Sequence, residues 1–289
     1  VIVAVRLKLY RASPTPVEPA PGSDAAGSDA LKGGDPLDTQ RARLAMLREG
    51  VLPLLLLCAF LTIYTAQLLG GASGITLLGL DMTDPTLRDS ALVTLAMYTC
   101  AALGIAFAVL FAPGVGRVFA SGLGPSRVPR DLATGLGWFL LVMPVVVTVS
   151  MVSMQIATAI RGAPPDQLGH STLRVLSSGD GPAWAWWLIV AGVTIGAPIV
   201  EEVLYRGCVQ SAARRFLPAW GAIVATSLVF TLIHIGSADA RAMPGLFVLA
   251  LGMGLVYERT GRLLPCVIVH ALFNATNVAV AAISVGATA

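Results

Sequence analysis

Charge is what this chain has least of. Only 12% of its 289 residues are Asp, Glu, Lys or Arg, about half the share found in an average soluble domain. That scarcity excludes an ordinary water-facing globular surface. No basic patch with interleaved aromatics exists, which excludes a nucleic-acid partner. Lysine is limited to Lys8 and Lys32, and cysteine to Cys58, Cys100, Cys208 and Cys266, widely spaced and without a CxxC pair. Neither a disulfide framework nor a thiolate metal site follows from such spacing, so the cysteines read as small buried hydrophobes. Also missing are the ten-residue segments of alternating polarity that a membrane barrel needs.

Apolar residues fill the space. They make up 56% of the chain, the mean hydropathy is +0.79, and several runs approach or exceed the ~18–20 residues that cross a hydrocarbon core. The reading is an all-α, polytopic transmembrane helical bundle. Segments near 51–70, 90–112, 132–157, 184–206, 219–235, 243–257 and 263–284 are expected to span, the fourth continuing to about Phe216. Residues 1–11, apolar first and basic after, read as the end of a truncated preceding membrane helix, which brings the count to seven or eight, and not as a signal peptide. Residues 12–40 are rich in Pro, Gly, Ala, Ser and Asp, and the flexible linker is taken as 12–47, with a membrane domain over 48–289.

Arginines set the expected orientation. Arg41, Arg43 and Arg48 precede the first span, Arg117, Arg127 and Arg130 precede the third, Arg214 and Arg215 follow the fourth, and Arg259 and Arg262 follow the sixth. The intervening loops are neutral or acidic. By the positive-inside rule the linker is cytoplasmic and the C-terminus outside.

Against this background the intramembrane polar groups stand out, because each is costly in lipid. Glu201 and Glu202 end the apolar run that begins at Trp187. Glu202 and Arg206 are one helical turn apart and can pair, as are His270 and Asn274 on the last helix. Glu201 lies 17 residues before Pro218 and His234 lies 16 after it. At a rise of ~1.5 Å per residue both sit ~24 Å from that turn. A carboxylate and an imidazole at matched depth can activate water, and a His beside an Asn can hydrogen-bond a developing oxyanion. Two His and a Glu are equally a ligand set for one Zn²⁺ with an open position for water. Spacing does not choose between the two. Taken singly, each His or Asn is as readily interhelical glue, and the Glu–Arg pair a structural clamp. Convergence from three helices favours a site. His170, in a Gly-, Pro- and Ser-rich loop, is incidental.

Glu201-Glu202-x-x-x-Arg206, Phe230-x-x-x-His234 and His270-x-x-x-Asn274 resemble the three motifs of the CPBP intramembrane proteases, also called the CAAX protease and bacteriocin-processing (Abi) family. The motif core covers about 184–282, and the segment Gly124-Pro-Ser-Arg-Val-Pro-Arg-Asp131 also looks typical. The resemblance implies an intramembrane endopeptidase of the CAAX type, classed with the metalloproteases, acting on a membrane-embedded or membrane-associated peptide. Glu201 and His234 would activate the water, and His270 and Asn274 would stabilise the oxyanion or help bind a metal. Glu202 and Arg206 would brace the site, and Phe230 would support it. The metal, if used, would be one Zn ion on Glu201, His234 and His270; a metal-independent glutamate mechanism is the alternative. The expected cleavage level is cytoplasmic or midplane. A weaker resemblance of the N-terminal part is to proteins that join an ABC-transporter permease to such a protease. The Arg-rich, Lys-poor composition suggests the cytoplasmic membrane of a bacterium. Two other readings are kept: a non-catalytic transporter-associated subunit or scaffold, and a proton-coupled transporter using Glu201 and His234 as a relay.

Overall fold

The computed structural model describes Ala45 and residues 50–161, 171–177 and 181–286. The expected helix end at 1–11, nearly all of the 12–47 linker, and His170 lie outside the described residues. Among the described residues the secondary structure is helical and no strand forms.

Helix α1 (Leu52–Leu78) starts on Pro53, whose missing N–H is no loss in a first turn, and ends on Gly79 with φ +61. Helix α2 (Leu87–Phe111) begins with a capping box in which Thr86 Oγ1 accepts from the Asp89 N–H and the Asp89 carboxylate accepts from the Thr86 N–H. These two helices approach closely where a Cβ on Gly70 would stand 2.7 Å from the Ala96 carbonyl oxygen. Small residues at such crossings let membrane helices pack without a hydrophobic driving force between them. Helix α3 (Pro113–Leu123) and a short 3-10 turn lead into α4 (Val128–Arg161); then come α5 (Ser171–Ser177), α6 (Ala183–Ala213), α7 (Ala219–Ile233), α8 (Met243–Thr260) and α9 (Leu263–Gly286). Large apolar side chains face outward along the bundle, among them Leu103, Leu141 and Trp187 at 64%, 66% and 65% exposure. Patches of that kind suit lipid, not water. The protein is an integral membrane protein with an all-α bundle.

All seven apolar segments expected to span are helical, as an all-α membrane bundle requires. Five helices are long and apolar enough to cross: α1, α2, α4, α6 and α9. Helix α7 has 15 residues, ~22 Å of rise, because its apolar run stops at a turn where Gly236 takes φ +96, a conformation other residues avoid. Helix α8 carries Glu258 and Arg259 in its last turn. The two helices pack against each other and are joined by the turn over 234–242. Sequence reading also left α3 and α5 as loops.

The arginine-bearing ends meet at one pole of the bundle and are fastened there. Arg262, at the start of α9, donates from Nε to both oxygens of Asp131 at 2.9 and 2.7 Å and from Nη2 to the Gly124 carbonyl at 2.6 Å. Both side chains are buried. Arg214 pairs with Glu258 at 2.9 Å, joining α6 to α8. Beside this clasp α4 and α9 touch so closely that a Cβ on Gly135 would lie 2.7 Å from Ile268. Removing one partner of a buried ion pair costs about 3–5 kcal/mol, whereas a partly exposed pair is worth about 0–1 kcal/mol. Asp131→Ala is therefore expected to lower the melting temperature in detergent far more than Asp239→Ala, which removes the part-exposed pair with Arg241; equal shifts would show that the clasp carries no stability.

Candidate active site

Helix α6 places the two glutamates, and its local geometry is irregular on both sides of them. The turn at Gly192–Gly196 widens to π geometry, with the Ala197 N–H reaching back to the Gly192 carbonyl. Pro198, one residue on, has no N–H to give the Val193 carbonyl. Asn274 fills that role from α9, its Nδ2 donating to Val193 O at 2.8 Å. A second π stretch covers Val203–Gln210, and there the Ser211 hydroxyl donates to the Arg206 carbonyl at 2.9 Å. Widened turns of this type recur at functional sites.

Glu202 and Arg206 are fully buried, joined at 3.0 Å between Oε1 and Nη1. Arg206 also donates from Nη2 to the Ala250 carbonyl at 3.1 Å, and its guanidinium lies 5.1 Å over the Phe230 ring. Phe230 is itself fully buried, with ring contacts to Tyr205, His234 and His270 at 4.9, 4.7 and 5.9 Å. One aromatic ring thus sets the positions of the arginine and both histidines.

The histidine tautomers follow from their partners. His234 Nδ1 lies 2.7 Å from the Phe230 carbonyl, which can only accept, so Nδ1 carries the hydrogen. His270 Nδ1 lies 2.9 Å from Glu202 Oε1, the oxygen already taking a bond from Arg206, so this Nδ1 also donates. Each neutral ring therefore turns a bare Nε2 lone pair towards the same atom. Glu201 Oε2 is 3.9 Å from His234 Nε2 and 3.9 Å from His270 Nε2. That oxygen is buried and takes no hydrogen bond from any described residue. Three acceptors aimed at one another at this distance are too far apart for direct bonds. The spacing is that of groups bridged by one small donor, and water is such a donor.

The same three residues are the expected zinc ligands, and their second contacts have the right chemistry, each imidazole donating from its other nitrogen. Their spacing does not match. Tetrahedral zinc with bonds of about 2.0–2.2 Å brings ligand atoms to roughly 3.4 Å of each other, short of the 3.9 Å here. Among the described residues no group of three His, Cys, Asp or Glu side chains is gathered closely enough to hold a metal ion. The set does not close on a metal.

All of these groups except Glu202 and Arg206 line one cavity of about 420 Å³ between α4, α5, α6, α9 and the turn after α7. Asn274, half-buried, keeps one amide hydrogen beyond the one given to Val193. Asn277, one turn further along α9, lines the same wall and donates to the Phe273 carbonyl at 3.1 Å. Sequence reading placed Glu201, His234, His270 and Asn274 together and paired Glu202 with Arg206. It missed the contact of Glu202 with His270, the anchoring of Asn274 on Val193, and Asn277. Pro198 in an apolar helix and an Asn three residues after another were the available signals.

Residues 182–276 match the family model described as type II CAAX prenyl endopeptidase Rce1-like. No curated protein and no solved structure matches the chain. The matched stretch runs from the start of α6 to just past Asn274 and so contains Glu201, Glu202, Arg206, His234, His270 and Asn274. Over that stretch the chain is similar to the Rce1-like type II CAAX prenyl endopeptidases.

Proposed function

We propose that the protein is an intramembrane endopeptidase in which Glu201 is the general base. The observation that carries this reading is the convergence of one unpartnered carboxylate oxygen and two imidazole lone pairs in a mostly apolar cavity. A water held between Glu201 Oε2 and His234 Nε2 gives a proton to the carboxylate as its oxygen attacks the scissile carbonyl. The second hydrogen stays on the water oxygen, hydrogen-bonded to His234 Nε2, which aims the water. The free amide hydrogen of Asn274 meets the developing oxyanion, its direction fixed by the bond to Val193. His270 can donate to the same oxygen only when its Nε2 is protonated, because its Nδ1 hydrogen is committed to Glu202. The C–N bond then breaks and the proton on Glu201 passes to the leaving amine.

In this scheme Glu202 and Arg206 do not touch the substrate. Glu202 holds the His270 ring and tautomer, and Arg206 neutralises Glu202. No step passes through a metal ion. The substrate is a peptide segment in or at the bilayer, and the localisation that fits the loop charges is the cytoplasmic membrane of a bacterium.

General-base catalysis contributes typically 10²–10⁴-fold. Glu201→Gln is expected to lower cleavage of a membrane reporter by at least about two orders of magnitude while leaving the melting temperature near the parent's; retained activity would remove Glu201 from the mechanism. Arg206→Leu, which strands a buried carboxylate, should cost about 3–5 kcal/mol of stability. The double variant Glu202→Leu with Arg206→Leu should regain most of that stability and remain slow, since His270 has lost its acceptor. A double variant as fast as the parent would show the pair to be structural only. Prolonged treatment with a strong chelator is expected to leave the rate unchanged, and loss of activity restored by Zn²⁺ would place a metal in the site after all.

A further inference from the structure

The cavity extends from the glutamates towards one end of the bundle only, and the charge distribution says which end that is. Between the glutamates and the arginine-rich pole the core is solid. Gln210, Ser211, Cys208, Met253, Val256 and Tyr257 are all at most 1% exposed. Gln210 donates to the Gly254 carbonyl at 3.0 Å, and Ser211 meets the Tyr257 hydroxyl at 3.0 Å. Glu201 is twelve residues from Ala213, so this seal is ~18 Å deep. Beyond the glutamates the cavity extends away from that pole. Its far wall is the face of α4 carrying Met143, Val147, Met151 and Met154, and its rim is the turn with Asp239 and Arg241. Val147 and Met151 are 41% and 61% exposed.

The sealed pole bears Arg117, Arg127, Arg130, Arg214, Arg215, Arg259 and Arg262 against Asp131 and Glu258. Among the described side chains, the open end bears Arg88 and Arg241 against Asp81, Asp84, Asp89 and Asp239. The excess of Arg therefore lies wholly at the sealed pole, the end that faces the cytoplasm.

We infer that the site is reached from the extracytoplasmic side, and that its substrates are apolar, extended peptide segments entering from the outer half of the bilayer. The inference rests on the endopeptidase reading for its substrate class but not for its sidedness. An extracytoplasmic mouth replaces the cytoplasmic or midplane cleavage level expected from the sequence. Methionines on the far wall suit it to varied apolar side chains, since their unbranched thioethers repack around different shapes. Such segments arise when a protein has been translocated or membrane-inserted, so the reaction that supplies the substrate is export or insertion, not cytoplasmic synthesis alone.

Two arms test this on the full chain expressed in a bacterial host. In the first, Ala240→Cys at the rim and Arg215→Cys at the sealed pole are treated on intact cells with a membrane-impermeant maleimide, the parent chain setting the background. Ala240→Cys is expected to label on intact cells and Arg215→Cys only after permeabilisation; the reverse pattern overturns the inference. In the second, the same apolar segment is offered from the outer or the inner side of the membrane. Cleavage that depends on Glu201 is expected for the outer presentation, by at least tenfold over the inner. Cleavage confined to the inner presentation overturns the inference. Outer labelling with no cleavage of either reporter would contradict the endopeptidase reading while sustaining the sidedness.

Discussion

A single oxygen, Oε1 of Glu202, holds the site together. It receives a hydrogen bond from Arg206 and another from His270, in a position with no exposure at all. A lone carboxylate there would be prohibitively costly, and a lone guanidinium more so. Paired, they place a fixed negative charge beneath His270 and a flat cation against the face of Phe230. Phe230 in turn carries His234 on its carbonyl and its ring. The positions of the arginine and of both imidazoles thus follow from one buried ion pair and one aromatic ring.

Glu201 differs from its neighbour in partners, exposure and access to the cavity. It follows Val200 on the same helix, yet it lines the cavity, is 18% exposed at its side chain, and has one oxygen without a bond from any described residue. One residue of rotation on a helix separates a carboxylate with two partners from one that has none and faces two lone pairs. Oε2 of Glu202 is also without a partner, but Glu202 does not line the cavity, so only Glu201 offers a free oxygen there. The widened turns on either side of the pair fix this rotation. Pro198 removes a donor, Asn274 replaces it, and the same bond aims the asparagine into the cavity.

Much of this was legible in the sequence because membrane burial makes polar residues conspicuous. Glu201, Glu202, Arg206, His234, His270 and Asn274 are visible as exceptions in apolar runs, and the i,i+4 spacing of Glu202 with Arg206 is enough to pair them. Matched depth across the α6–α7 turn brought Glu201 and His234 to the same level. The helix type of each apolar segment was equally plain. What was not legible depends on register between distant helices. Nothing local says that Arg262 will find Asp131 across 131 positions, or that His270 will meet Glu202 and not Glu201 with its Nδ1. The end of α7 was hidden in the same way: the helix stops after 15 residues at a turn in which Gly236 takes a positive φ.

The central claim is that a free carboxylate at position 201 takes the proton from the attacking water. Chemical rescue tests it most directly. The purified Glu201→Ala protein in lipid nanodiscs would be given an apolar peptide substrate and increasing formate, a carboxylate small enough to enter the space the side chain leaves. The account predicts no measurable cleavage without formate and a rate that rises with formate concentration, with no such response in Glu202→Ala. Cleavage by Glu201→Ala at the parent rate in the absence of formate would contradict it.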